Sequence, residues 1–159
     1  MSWWKLFKPK SCNVNLKATA KDEALAQVVE TLVKSDQLPR ELAEHALEAL
    51  REREELAPTG VGGGVAIPHV KLEGIDSAIC SLSTLKEGIE WAAVDGAPVE
   101  ILFTILRPAE AGDSHDPEAH LEMMRWIAKL AREADFRSFA LQSTKKSELV
   151  DLLKEMSAV

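Results

Sequence analysis

Only two cysteines, Cys12 and Cys80, occur in the 159 residues, far apart and in no C-x-x-C pair. That excludes a disulfide scaffold and leaves structural zinc and thioredoxin-type redox chemistry without support. Basic residues are outnumbered as well: 19 Lys and Arg against 26 Asp and Glu give a formal charge of −7. Nucleic-acid binders carry a basic stripe or domain, and none is visible, so no nucleic-acid partner is expected. No apolar run approaches the roughly 18–20 residues that span a bilayer, so no integral membrane segment is expected. The first ten residues hold Lys5, Lys8 and Lys10 but no apolar stretch, which is not the pattern of a signal peptide. What is present, 46% apolar and 28% charged residues, is ordinary for a globular chain. The length suits one domain with a core of its own, and the expected location is the cytoplasm.

No internal repeat or low-complexity tract interrupts the chain. The opening MSWWKLFKPKS differs in composition from the rest, pairing Trp3, Trp4 and Phe7 with three lysines. Such a segment suits an anionic membrane surface or a partner, or it is a terminal tail that packs its tryptophans on the domain or stays mobile. Ten residues ending in Pro9 make a poor amphipathic helix, which favours the tail. Residues 1–14 are therefore read as a tail and 15–159 as the domain.

Thr19 and Asp22 resemble a capping box ahead of Leu25, Val28, Val29, Leu32 and Val33, which recur at helical spacing. Pro39 then stands near the first turn of a second helix with the stripe Leu42, Ala46, Leu47, Leu50, running out in the charged run Arg51–Glu55. Pro58 to Gly64 reads as loop or tight turn. Val65–Ile67 reads as a short strand stopped by Pro68. Ala78 to Thr84 alternates like a half-buried strand, and Val99 to Leu106 is apolar enough to be a strand covered on both faces, with Asp95-Gly96 in the turn before it. Asp116-Pro117 opens a helix, residues around Phe136 a short one, and Leu149 to Met156 a last one capped near Thr144. This order implies an α/β or α+β layer fold.

The glycine loop lacks the Lys-Ser or Lys-Thr of a phosphate-binding P-loop and does not lie between a strand and a helix, so neither nucleotide reading applies. It offers backbone N–H groups unhindered by side chains. Pro68 restricts Ile67 and fixes how the chain leaves toward His69, and a neutral histidine keeps one basic nitrogen for nucleophilic attack. His115 and His120 flank the start of the Asp116-Pro117 helix, where an anion is favoured. Arg53, near the end of the second helix, is the natural anion clamp. Together these residues suit phosphoryl transfer, in which catalysis is positioning and electrostatics.

The run Arg53-Glu54 followed by Pro58-Thr59-Gly60-Val61-Gly62-Gly63-Gly64-Val65-Ala66-Ile67-Pro68-His69 strongly resembles the enzyme IIA domains of the fructose/mannitol type, nitrogen-regulatory members included, of the bacterial phosphoenolpyruvate-dependent phosphotransferase system. The resemblance spans about residues 15–156, with Leu16-Lys17-Ala18-Thr19, Ile89, Val94-Asp95-Gly96-Ala97-Pro98-Val99 and His120-Leu121 as further landmarks. It implies a mixed β-sheet flanked by helices, like that of the mannitol EIIA. It implies that His69 accepts a phosphoryl group from the histidine-phosphorylated carrier HPr and passes it to an EIIB partner or holds it as a signal to a regulatory target. It makes His120 the second histidine of the site and Arg53 its arginine, with no metal and no cofactor. The glycine loop resembles the nitrogen-regulatory branch more than the sugar-transport one.

One departure is the long acidic stretch Pro108–Ala119, which offers His115 as a competitor for His120; Leu121 and the stripe after it favour His120. The competing function is a non-catalytic or degenerate regulatory binding module, or a metal site built from His69, His115 and His120, for which no zinc-binding spacing exists. Trp91 and Trp126 read as core or rim packing, Met123 and Met124 as helix-face packing, Cys80 as a buried small hydrophobe and His45 as a surface histidine. Val61, Val65 and Val70 are the candidates for an apolar docking face.

Overall fold

In the computed structural model, which describes residues 2–110 and 116–157, the strand runs read from the sequence come together in one mixed sheet. Among the described residues its strands are β1 (Gly60–Gly62), β2 (Val65–Ala66), β3 (His69–Leu72), β4 (Ile79–Ile89) and β5 (Val99–Pro108). The apolar run is the middle strand: β5 pairs in parallel with β2 and β3 on one side and antiparallel with β4 on the other. Val65 pairs with Ile101 and His69 with Ile105, so the offset is unchanged across Ile67-Pro68. β2 and β3 are thus one strand with a proline in it. The expectation that Pro68 ends the strand is corrected: only a donor is lost there, and the Pro68 carbonyl still accepts the Ile105 N–H at 2.9 Å.

Because β5 is buried on both faces, its side chains divide between two cores. Ile101, Phe103 and Ile105 pack with Met123, Ile127, Phe136, Leu149 and Leu153 from α3 (Pro117–Arg132), α4 (Ala134–Gln142) and α5 (Lys146–Ser157). Leu102 and Leu106 pack with Leu25, Val28, Ala46 and Leu50 from α1 (Lys21–Lys34) and α2 (Ala43–Leu56). The result is three layers, helices on both faces of a mixed sheet, as the sequence implied.

The aromatic N-terminal segment lies along the outer edge of β4. Phe7 and Asn13 form bridges to Cys80 and Ser83, and the edge N–H and C=O groups of Leu82 and Thr84 bond to Asn13 and Leu16, which covers an edge that would otherwise template aggregation. Phe7 is 1% exposed and meets Phe103 edge-on at 6.0 Å. Lys154 of α5 sits over the Trp4 ring at 5.3 Å.

One local expectation changes and two are sharpened. The residue before α1 is Ala20, whose side chain makes no cap bond, so Thr19 and Asp22 form no capping box; Asp22 and Glu23 instead place negative charge in the first turn. Pro39 precedes a 3₁₀ turn, Arg40–Leu42, that leads into α2. The glycine loop folds into a hairpin, β1 against β2, because its glycines supply the positive φ values at 62, 63 and 64 that a tight reversal needs. Asp116 and Pro117 do cap α3, with the Asp116 carboxylate accepting the Glu118 N–H at 3.0 Å. Glu148 reaches back to Thr144 and Lys145 at the start of α5.

Candidate functional site

Arg53 and His69, sixteen positions apart in the chain, line one depression of about 430 Å³, together with Thr59, Val61, Leu121, Met124 and Arg125. Arg53 arrives on the last turn of α2, where its Nη1 donates to the Ala57 carbonyl at 2.7 Å while its own carbonyl accepts the Ala57 N–H. The guanidinium is tied to the helix end and stays at the wall of the depression.

His69 opens β3 and is half-buried. Its Nδ1 lies 2.6 Å from the Ile67 carbonyl oxygen. A carbonyl can only accept, so the proton of a neutral His69 is on Nδ1 and the lone pair on Nε2.

His120 is brought near but is not among the walls of that depression. It is buried on the first turn of α3, adjacent in sequence to Leu121 and one turn before Met124, both of which do line it. His115 falls outside the described residues. Among the described residues no group of three or more His, Cys, Asp and Glu is placed to hold a metal ion.

One amide of the hairpin is not available as the sequence suggested. The Gly63 N–H is occupied by the Asp95 carboxylate at 3.0 Å, and the Gly63 carbonyl by Arg137 Nη1 at 3.2 Å. Hydrogen bonds from the Gly63 and Ala97 amides hold the Asp95 carboxyl below its usual range. Gly60 is required for another reason: a Cβ there would stand 2.7 Å from Ala93 Cβ and 2.9 Å from Ala93 Cα. The hairpin contributes walls to the site through Thr59 and Val61.

Of the apolar docking candidates, Val61 is 48% exposed at the depression, whereas Val65 is fully in the core and Val70 packs toward α1 and α2. Leu121, 53% exposed, takes the place of Val65. Trp91 is entirely buried and Trp126 partly so, the latter edge-on to Phe7 at 6.2 Å.

Sequence reasoning missed Glu54. It is 7% exposed and accepts from Thr59 N at 3.3 Å, Trp91 Nε1 at 3.2 Å and Lys21 Nζ at 3.3 Å, and also from the Thr59 hydroxyl. The signal was there: Ala46, Leu50 and Glu54 follow one another at i+4 spacing, so Glu54 prolongs the buried stripe of α2.

The family model for the phosphoenolpyruvate-dependent sugar phosphotransferase system, EIIA 2, matches residues 5–156. A nitrogen regulatory protein of Pseudomonas aeruginosa is 38% identical over 78% of this chain and 76% of its own length. The fructose-specific EIIA component of a phosphotransferase system in Haloferax volcanii is 36% identical over 70% of this chain and 69% of its own. In fold, the chain is similar to the nitrogen regulatory protein IIA-Ntr of Neisseria meningitidis, with a TM-score of 0.77, 24% identity and coverage of 94% and 97%. It is similar as well to the IIA of the Escherichia coli mannitol system solved in complex with phosphorylated IIB, with a TM-score of 0.69, 20% identity and coverage of 94% and 99%.

Proposed function

Because the chain belongs to the EIIA type-2 family of the phosphoenolpyruvate-dependent sugar phosphotransferase system, we propose that it is a phosphohistidine carrier, and that Nε2 of His69 is the atom that takes the phosphoryl group. The donor is a histidine-phosphorylated carrier of the HPr type. The N–P bond of the donor breaks as the bond to Nε2 forms, so the group moves whole and no leaving group is released to water. The single observation that carries this reading is the 2.6 Å contact of Nδ1 with the Ile67 carbonyl, which leaves the nucleophilic lone pair on Nε2 of a residue that shares its depression with Arg53. Arg53 balances the charge brought by the phosphoryl group, about −1.5 to −2 near neutrality for a phosphoryl ester. His120 is the second imidazole of the site.

An EIIB domain is the acceptor that the complex of the mannitol relative supports. The nitrogen-regulatory use is favoured by the resemblance of the glycine hairpin and by the Pseudomonas relative. In that use the phosphorylation state of His69 is read by a target protein, and the reaction belongs in the cytoplasm.

Intact mass after incubation with phosphoenolpyruvate, enzyme I and HPr tests the proposal, with His69→Ala alongside. One acid-labile phosphoryl group is expected on the parent and none on the variant. No gain on a folded parent overturns the carrier and leaves a degenerate regulatory module. A gain that survives His69→Ala means another histidine is the acceptor.

A further inference from the structure

We infer that Glu54 is a positioning residue that sets the tautomer of His69, by drawing the Thr59 amide away from the carbonyl that His69 needs. The inference rests on the phosphohistidine reading only for its consequence; the geometry stands without it.

Thr59 and Ile67 face each other at the end of the β1–β2 hairpin, one step beyond the Gly60–Ala66 pair. The Ile67 N–H donates to the Thr59 carbonyl at 3.0 Å. In an antiparallel ladder such a pair exchanges two bonds, so the Thr59 N–H would return to the Ile67 carbonyl. Among the described residues it does not. The Thr59 N–H points to Glu54 Oε2 at 3.3 Å, and the Thr59 hydroxyl bonds to Glu54 Oε1. The Ile67 carbonyl, left without its ladder donor, accepts from His69 Nδ1 at 2.6 Å.

Glu54 is held in turn. Trp91 Nε1, on a fully buried ring, donates to its Oε1 at 3.2 Å, and Lys21 Nζ reaches its Oε2 at 3.3 Å while lying over the Trp91 ring. A carboxylate in this place costs desolvation that an apolar residue would avoid. What the carboxylate does that an apolar residue cannot is hold two donors of Thr59 at once. Without Glu54 the Thr59 N–H closes the ladder onto the second lone pair of the Ile67 oxygen, and the bond left to His69 weakens. The preference of His69 for the proton on Nδ1 falls with it, and part of the neutral population carries the proton on Nε2, where it blocks attack.

The test is ¹⁵N NMR of the full chain at alkaline pH, read on the His69 ring in the parent, Glu54→Gln and Glu54→Ala. A protonated Nδ1 and an unprotonated Nε2 are expected in the parent and in Glu54→Gln, whose amide oxygen still accepts from Thr59. In Glu54→Ala the Nδ1–H share is expected to fall, and the rate of labelling by phosphoramidate with it, by about two- to tenfold, the selectivity of one neutral hydrogen bond. Should Glu54→Ala fail to fold, through-hydrogen-bond couplings on the parent decide: coupling from the Thr59 amide nitrogen to the Glu54 carboxylate carbon supports the inference, and coupling to the Ile67 carbonyl carbon overturns it. An unchanged tautomer in a folded Glu54→Ala overturns it too. Absence of phosphoramidate labelling in the parent, with the tautomer as described, refutes the carrier function and leaves the positioning intact.

Discussion

Truncating Phe7 to alanine reports on whether the N-terminal segment is part of the folded domain. Phe7 is 1% exposed, edge-on to Phe103 at 6.0 Å and to Trp126 at 6.2 Å, and its backbone bridges to Cys80 at the edge of β4. Removing a buried phenyl ring costs about 3–5 kcal/mol, combining lost transfer energy with the cavity left behind. Trp3, Trp4 and Leu6 are only partly buried over the same core, so this outer layer can settle into the space and the low end applies, about 3 kcal/mol. For a chain of this size that is a fall in Tm of roughly 6–12 °C. Urea unfolding followed by far-UV circular dichroism measures it, with Phe139→Ala as control, since Phe139 is 55% exposed and its loss is expected within about 0.5 kcal/mol. An unchanged slope with a lower midpoint means the segment unfolds with the domain; a lower slope means it has come away beforehand. A Phe7→Ala loss under about 1 kcal/mol refutes the reasoning, because a cavity of this kind then cannot exist in solution.

Asp95 gives a pH-dependent signal. Its carboxyl is held below the usual 3.8 by the Gly63 and Ala97 amides; a depressed value means the contribution to the hairpin is complete above the unfolded value and is lost as pH falls through the folded one. The Gly63 amide resonance is expected to titrate with a midpoint below 3.8 and to stop titrating in Asp95→Asn; a midpoint at or above 3.8 contradicts the contact. Burial pushes the Cys12 thiol up to about 11 and Cys80 higher still, so at pH 8 neither is expected to react with Ellman's reagent until urea unfolds the chain. Fast stoichiometric labelling of the native protein counts against that burial.

The layered fold was legible where periodicity was long and clean. Leu25 to Val33 and Val99 to Leu106 declared a helix and a doubly covered strand, and Asp116-Pro117 declared a helix start. β3 was not legible, because four residues with a lysine among them, directly after a proline, carry no pattern of their own; what makes them a strand is the register of β5. The hairpin was hidden for a similar reason, since glycines mark a turn without saying which strands it joins. Of the candidate site, Arg53 and His69 were singled out by chemistry, and both line one depression. Glu54 was lost in the charged run Arg51–Glu55, where four of the five residues are at least partly solvated, and burial distinguishes the exception.

The uninterrupted register of β2 and β3 along β5 also bears on how the molecule is assembled. His69 precedes its sheet partner Ile105 by 36 residues, and a parallel pair of this kind cannot be zipped up from a turn; it closes only once the intervening chain has folded back. During synthesis the nascent chain can form α1 and α2 early, but the strand holding His69 has no neighbour on its inner side until β5 leaves the ribosome. The strand that carries His69 therefore takes its place only after β5 has been made, although it precedes β5 in the chain.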